Sequence, residues 1–484
     1  MRTHLFINGK SRSTTEALTV FNPARPGEIV GKAASASVVD VSDAIASAHD
    51  ACASWSTLPP QERATVLAAA VDGIAQTRDD DALLLAKEVG KIVHEAWVDL
   101  LVFEIRWNLA LELVDEVDAT LELSPAPGMP VSTTIEHQPL GVVTIIVPFN
   151  WPAAILAASL PHALLAGNTV IVKPPPTAPL ALTQLLHRVA TRLPAGVLNV
   201  VTGENANVEA LIADDRIAKV CFTGSVVGGK TVMSLATQSL TRVTLELGGN
   251  DPAILLADAL IDDTHLDRLF AAIFDTTGQI CMNVKRIYVH ESRLDELVTG
   301  LSNRLEQVVL GDPVNAETTM GPLHSAPHKQ FVEGLVRAAR ESGADVREFG
   351  ALPTGDLADG FFIQPALIIN PDPSLGVVAE EQFGPVIPIM SFSNESDAVA
   401  AANDTWSGLG ASVWSASPQS AARVASQMQA GYVWINDHGA TRLDLRAPFG
   451  GMKNSGFGRE QGITGVREFQ DTRAIARLID DQSG

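Results

Sequence analysis

Gly278-Gln-Ile-Cys281 places a cysteine in a turn-like setting after a helical segment. Its thiolate would be a nucleophile if helix dipoles or backbone N–H groups favour it. The ordinary reading of a lone cysteine is a small buried hydrophobe, and Cys52 and Cys221 keep that reading. Leu245-Glu-Leu-Gly-Gly-Asn250 puts Glu246 at a strand end between two leucines. That apolar setting raises a carboxyl pKa toward what a general base near neutrality needs; a paired structural glutamate is the alternative. Asn150, in Pro148-Phe-Asn-Trp-Pro152, offers an amide that can donate to a developing oxyanion or merely satisfy its turn. Phe222–Gly229 runs from a strand into a helix, and Gly224 and Gly229 let backbone approach a phosphate there. It lacks the G-x-G-x-x-G fingerprint. Lys173 ends the β-branched run Val170–Val172, and three prolines follow at once.

These residues need a scaffold. Val142–Val147, Thr169–Val172, Val197–Thr202, Ala218–Thr223 and Arg242–Leu247 read as strands. Helical patterns at Ala153–Ala166, Thr177–Leu193, Asn207–Ala213 and Val227–Leu240 alternate with them. Such alternation predicts a parallel sheet covered on both faces, with ligands beyond the carboxyl ends of its strands. After Gly248-Gly249 the alternation restarts with Ala253–Leu256, a helix near Leu266–Thr277, Arg286–His290, and helices at Ser292–Val309 and His328–Ser342. Leu121–His137, with its Ser-Pro-Ala-Pro-Gly-Met-Pro centre, reads as a hairpin or arm that Thr472–Ile479 could join. The expected fold is α/β, two doubly wound parallel-sheet domains with a small β-arm. Residues 1–120 and 140–247 form the first domain, 248–460 the second, and 121–139 with 466–484 the arm.

The chain has 484 residues, enough for two large domains. Its formal charge of -22 argues against nucleic-acid and polybasic membrane partners. Three scattered cysteines make neither a disulfide framework nor a CxxC metal site, so no metal is expected and a reducing cytoplasm fits. The first ten residues hold no apolar core long enough for a signal peptide. From Gln138 to Val172 the sole titratable side chain is His162, but Pro148, Asn150, Pro152 and Pro161 interrupt the run. It reads as a buried strand, loop and helix rather than a membrane span.

Taken together, these stretches resemble the aldehyde dehydrogenase superfamily over essentially the whole length. The resemblance extends to Glu380-Glu-Gln-Phe-Gly-Pro385, Gly431-Tyr-Val-Trp-Ile-Asn436 and Pro448-Phe-Gly-Gly-Met-Lys-Asn-Ser-Gly456. It implies that Cys281 attacks an aldehyde, that its own N–H and the Asn150 amide hold the oxyanion, and that Glu246 activates water. It also implies NAD or NADP as cofactor. Lys173 would hold the adenosine ribose, Ser225 and the Gly224–Gly229 turn the pyrophosphate, and Glu381 and Phe383 the nicotinamide ribose. The arm would build a homodimer or homotetramer.

Two positions depart from the family pattern. Many relatives that prefer NAD carry a glutamate three residues after the lysine, where this chain has Pro176. Several carry a bulky aromatic where this chain has Ala158, which implies a roomier tunnel beside Trp151 unless another ring fills it. Asp437–Arg446, which includes His438, lies where substrate contacts are usual. Arg442 or Arg446 could hold a carboxylate, or the loop could be solvated with Asp444 as local partner. An aromatic or medium-length apolar aldehyde is the expected substrate, with a semialdehyde as the alternative. A thiol esterase and a non-catalytic relative are the readings from other classes.

Overall fold

The computed structural model describes residues 1–204 and 209–479. The first sheet has eight strands. Arg242–Glu246, Ile217–Thr223, Val142–Ile146, Thr169–Lys173 and Leu198–Val200 lie side by side and parallel. Antiparallel strands flank them, Gly456–Phe457 at one edge and Leu5–Ile7 with Lys10–Arg12 at the other. The β-branched residues of these strands bury both faces. Val143, Ile145, Val170 and Val172 face a core with Trp55, Trp107 and helix Pro152–Leu165. Val142, Ile171 and Val220 face a second core built on helix Val38–Ser56.

Register decides where the chemistry emerges. Ile146 pairs with Lys173 and Phe222, and Thr223 with Glu246. The Asn150 loop, Lys173, the Gly224 turn and Glu246 therefore leave one carboxyl edge together. The chain goes from Val142–Ile146 outward to Leu198–Val200, then returns to Ile217–Thr223 on the other side. The crevice at that reversal is where such sheets bind ligands.

The second sheet has seven strands, parallel except for the Asp345–Glu348 edge. Here the pattern inverts. The Cys281 turn precedes strand Val284–His290, and Glu381–Phe383 precede Val386–Phe392. The amino edge of this sheet carries them, whereas the first sheet presents its carboxyl edge.

The Gln138–Val172 stretch resolves into strand, loop and a helix buried on all sides. Among the described residues no helix is long and apolar enough to cross a membrane. The prolines after Lys173 deny N–H donors to the chain, and the next helix, Leu180–Ala190, has no side-chain cap of its own. Buried Glu88 supplies one from a neighbouring helix, accepting from the Leu180 and Ala181 N–H groups at 2.7 and 2.8 Å.

The arm is a three-stranded antiparallel sheet. Val131–Pro139 is its centre, with Leu121–Leu123 on one side and Gln470–Leu478 on the other. It starts later than expected, because Val466 and Phe469 are buried in the first core. Gly456–Phe457, inside the stretch assigned by sequence to the second domain, returns to the first sheet. A small sheet of Arg2–Thr3, Ala17–Asn22 and Arg25–Ala34 was not expected. The helix expected at Asn207–Ala213 is seen as Ala210–Ala213; positions 207–208 lie outside the described residues, as do 480–484.

Gly456 has φ +121°, and a Cβ there would lie 1.8 Å from the Leu245 carbonyl. Gly456→Ala is expected to cost roughly 2–4 kcal/mol through strain and overpacking. Denaturant unfolding checks this; a midpoint equal to that of the parent chain contradicts it.

Candidate active site

Cys281 follows an unusual turn. After helix Asp263–Phe274, Thr276, Thr277 and Gly278 all take positive φ, at 56°, 57° and 73°. A Cβ on Gly278 would meet the Gly384 carbonyl at 2.3 Å, so a side chain is excluded there. The turn is held from several directions. Asn283 Nδ2 donates to the Ile273 and Asp275 carbonyls, and Thr277 Oγ1 to Gly321. Lys285 Nζ donates to the Ile280 carbonyl at 2.5 Å, one residue before the thiol. Among the described residues the Cys281 N–H donates to no protein acceptor.

Asn150 faces this turn. Its Nδ2 donates to the Gln279 carbonyl at 2.9 Å, and one amide hydrogen remains for another acceptor. Trp151 Nε1 donates to Thr276 Oγ1 at 2.9 Å, a second stitch between the two segments. Glu246 ends its strand 5% exposed, with neither carboxylate oxygen hydrogen-bonded among the described residues. Burial, then the Glu460 charge, raises its pKa well above the usual carboxylate range, with Arg459 opposing.

Glu381 lies against the Gly248-Gly249 backbone. Its Oε1 accepts from the Gly249 N–H at 3.1 Å, and its Oε2 would sit 2.1 Å from a Cβ on Gly248. Burial pushes its pKa up to about 7, with Lys285 opposing. Phe383 has φ 48°, and its carbonyl accepts from His328 Nε2 at 2.7 Å. Burial, then Glu381, pushes the Cys281 thiol up to about 12, while Lys285 pulls it down.

Asn150, Glu246, Cys281, Glu381, Phe383, Gly224 and Ser225 line one cleft of about 280 Å³. Ser225 caps helix Val226–Ala236 by accepting from the Gly228 N–H at 3.1 Å. Gly229 does not line the cleft. Its missing side chain lets the helix press on Leu247, which would sit 2.7 Å from a Cβ. Lys173 is buried beside the cleft, its pKa drawn down to about 8 by desolvation against the opposing charge of Glu204. Pro176, Thr177 and Glu204 share a neighbouring groove.

The expected substrate residues separate. Trp151 belongs to an apolar cluster against Cys281. Ala158 is buried and lines no described cleft, whereas Ala154 and Ile155, one turn earlier, border that cluster. His438 is a brace: its Nε2 donates to the Met282 carbonyl at 2.8 Å, and its ring stacks on Trp434. Lys285, Glu204, His328 and Glu460 were not expected at the site. His328 and Glu460 meet partners far away in sequence, Phe383 and Ser159, and nothing local announces those contacts.

The fold and cleft define an α/β oxidoreductase. The Aldehyde dehydrogenase family profile matches residues 10–475. The chain is 34% identical over 481 residues to a phenylacetaldehyde dehydrogenase of Pseudomonas fluorescens, covering 97% of this chain and 94% of the relative. It is 32% identical to a betaine aldehyde dehydrogenase of Bacillus subtilis (strain 168), over 98% of this chain and 97% of the relative. A betaine aldehyde dehydrogenase from Staphylococcus aureus, solved in complex with NAD+, superposes with a TM-score of 0.91 at 30% identity, over 99% of this chain and 95% of that one. The chain belongs to the aldehyde dehydrogenase family.

With the thiol near 12, alkylation of Cys281 by iodoacetamide should accelerate about tenfold per pH unit between about pH 7 and 10. Glu381→Gln should speed it at fixed pH, and Lys285→Met should slow it. Peptide mass spectrometry against pH checks this; a plateau well below the expected pKa, or no response in either variant, contradicts it.

Proposed function

We propose that the protein oxidises an aldehyde to its carboxylic acid with NAD or NADP, through Cys281. The observation that carries this is one cleft lined by Cys281, Asn150, Glu246 and the Ser225-capped helix start. The Cys281 thiol gives up its proton to solvent at the cleft as its sulfur bonds to the carbonyl carbon, and the carbonyl π pair moves to oxygen. The free Cys281 N–H and the second Asn150 amide hydrogen face that oxyanion. Bound in this cleft, NAD or NADP supplies the acceptor for the hydride that leaves the adduct carbon. Glu246 then takes a proton from water, whose oxygen attacks the thioester and breaks the C–S bond. Burial raises its pKa, which makes it a stronger base than an exposed carboxylate.

The residues fit the cofactor. The start of helix Val226–Ala236 and Gly224 offer backbone donors to a pyrophosphate, Lys173 sits at the strand end, and Glu381 and Phe383 flank the thiol side. Pro176 brings no carboxylate, so the 2′-phosphate is not repelled there. Glu204, beside Lys173, brings one from another segment. Both dinucleotides are used, with NAD favoured by Glu204.

An aromatic or medium-chain apolar aldehyde is the substrate class. Trp151, Ile280, Met282, Trp434, Leu443 and Phe449 form the apolar wall against Cys281. Arg446 is engaged by Asp444 at 2.8 Å and Arg442 lies 3.6 Å from Asp437, so neither is held toward a substrate carboxylate. The name of the Pseudomonas fluorescens relative agrees with this class. We also propose that residues 1–120 and 140–247 act as the cofactor domain and 248–460 as the catalytic domain. The arm joins copies into a homodimer or homotetramer in the cytoplasm.

Cys281→Ala should abolish NAD(P)H formation, and Glu246→Gln should give one turnover and then stall. In a panel of phenylacetaldehyde, hexanal and succinate semialdehyde, the last should have the lowest kcat/KM. Wild-type rates in the alanine variant would sink the mechanism; preference for the semialdehyde would overturn the substrate class. Glu204→Gln should raise the NADP-to-NAD ratio of kcat/KM at least about fivefold, or ~1 kcal/mol. An unchanged ratio removes Glu204 from cofactor choice.

A further inference from the structure

Lys91 and Asp99 are wholly buried, and both side chains are 0% exposed. Lys91 follows Gly90, which ends helix Arg78–Val89 in a left-handed turn, and Asp99 lies on helix Val93–Leu111. Their atoms reach the oxyanion-donor loop at three points. Lys91 Nζ lies 2.7 Å from Asp99 Oδ2 and donates to the Asn150 backbone carbonyl at 2.9 Å. It also sits 4.5 Å over the Trp151 ring. Asp99 Oδ1 accepts from the Ala154 N–H at 2.6 Å. Helix Pro152–Leu165 has no side-chain cap of its own, so Asp99 supplies the missing acceptor from another helix.

A buried ion pair is a poor source of stability, because desolvation offsets its attraction and apolar replacement is often neutral. What this pair supplies is register. It fixes the Asn150 carbonyl and the Ala154 N–H, the stretch that leads directly away from the Asn150 side chain, in a single geometry. That side chain spans to Gln279, two residues before Cys281. We infer that the Lys91–Asp99 pair is a positioning device that sets the Asn150 amide against the Cys281 turn. Neither residue touches the reacting atoms. The inference rests on the proposed role of Asn150 as oxyanion donor.

The test is a double-mutant cycle on the full chain, read by kcat, aldehyde KM and melting temperature. Lys91→Met leaves the Asp99 charge unpaired and should lower the melting temperature. Lys91→Met/Asp99→Asn removes both charges and keeps an acceptor for Ala154, so much of that loss should return. Its kcat should stay down about a hundredfold, the scale of a misplaced catalytic group, with KM within about threefold. In an Asn150→Ala background the same double substitution should cost little more, because the group it positions is already gone. Wild-type kcat in the double variant, or fully additive losses in the Asn150→Ala background, overturns the inference. Asp99→Asn alone, the mildest change, gives the same comparison should the others not fold. Cys281→Ala run alongside separates the outcomes: its retained activity sinks the functional reading, whereas its loss with additive effects sinks the positioning role alone.

Discussion

The chain passes from strand Arg242–Glu246 of one sheet to the first strand of the next within Leu247–Asn250, and the site depends on how closely that crossing packs. Gly248 touches Glu381, and Gly249 lies where a Cβ would be 2.3 Å from the Cys281 carbonyl. Glu246, at the end of the outgoing strand, is thereby held at the cleft that also presents the thiol. A side chain at Gly249 would press on the Cys281 backbone, and one at Gly248 would displace the Glu381 carboxylate. The carboxyl edge of one sheet meets the amino edge of the other at this seam, and each brings what the other lacks. The first contributes the Asn150 amide, the Glu246 carboxylate and a helix start, and the second contributes the thiol turn.

Burial at the seam sets the electrostatics. Glu246, Glu381 and Glu460 all have raised pKa values, with desolvation the largest cause in each. Lys285 and Arg106 are buried with them, and burial lowers theirs. A carboxylate raised in this way is a stronger base than an exposed one, which suits a group that must take a proton and release it again. The same environment disfavours the free thiolate. On the proposed mechanism, attack is therefore favoured when an aldehyde takes up the charge as an oxyanion facing fixed N–H donors, rather than by a standing thiolate.

The sequence made the parallel strands of the first sheet and the positions of Cys281, Glu246 and Asn150 legible, because these sit at the ends of periodic elements. It also made the pairing of the terminal strand with the arm legible, from weak alternation alone. Gly229 was read as a phosphate contact and turns out to serve helix packing on Leu247. From sequence, a glycine after a strand looks the same in both roles. His438 was placed in the pocket, but it lies behind the wall, bonded to Met282. Lys91, Asp99, Lys285 and Glu204 left no trace, since a charged residue reads as surface until its tertiary partners are known.

Cofactor choice shows why local geometry outranks composition. An anionic dinucleotide must enter a protein of formal charge -22. At physiological salt, charges more than about 8 Å apart are largely screened, so the bulk of that charge acts weakly at the cleft. On the proposed reading the nearby groups decide: Lys173 and the helix start at Ser225 attract phosphate, and Glu204 limits how much negative charge can be added beside the lysine. Pro176 removes the carboxylate from its usual place in the turn, and the fold returns one from the segment after Leu198–Val200. The turn is made rigid by proline while the charge moves to a different strand's end. Cofactor preference here is thus a property of two segments meeting at one edge, which neither segment's sequence could express alone.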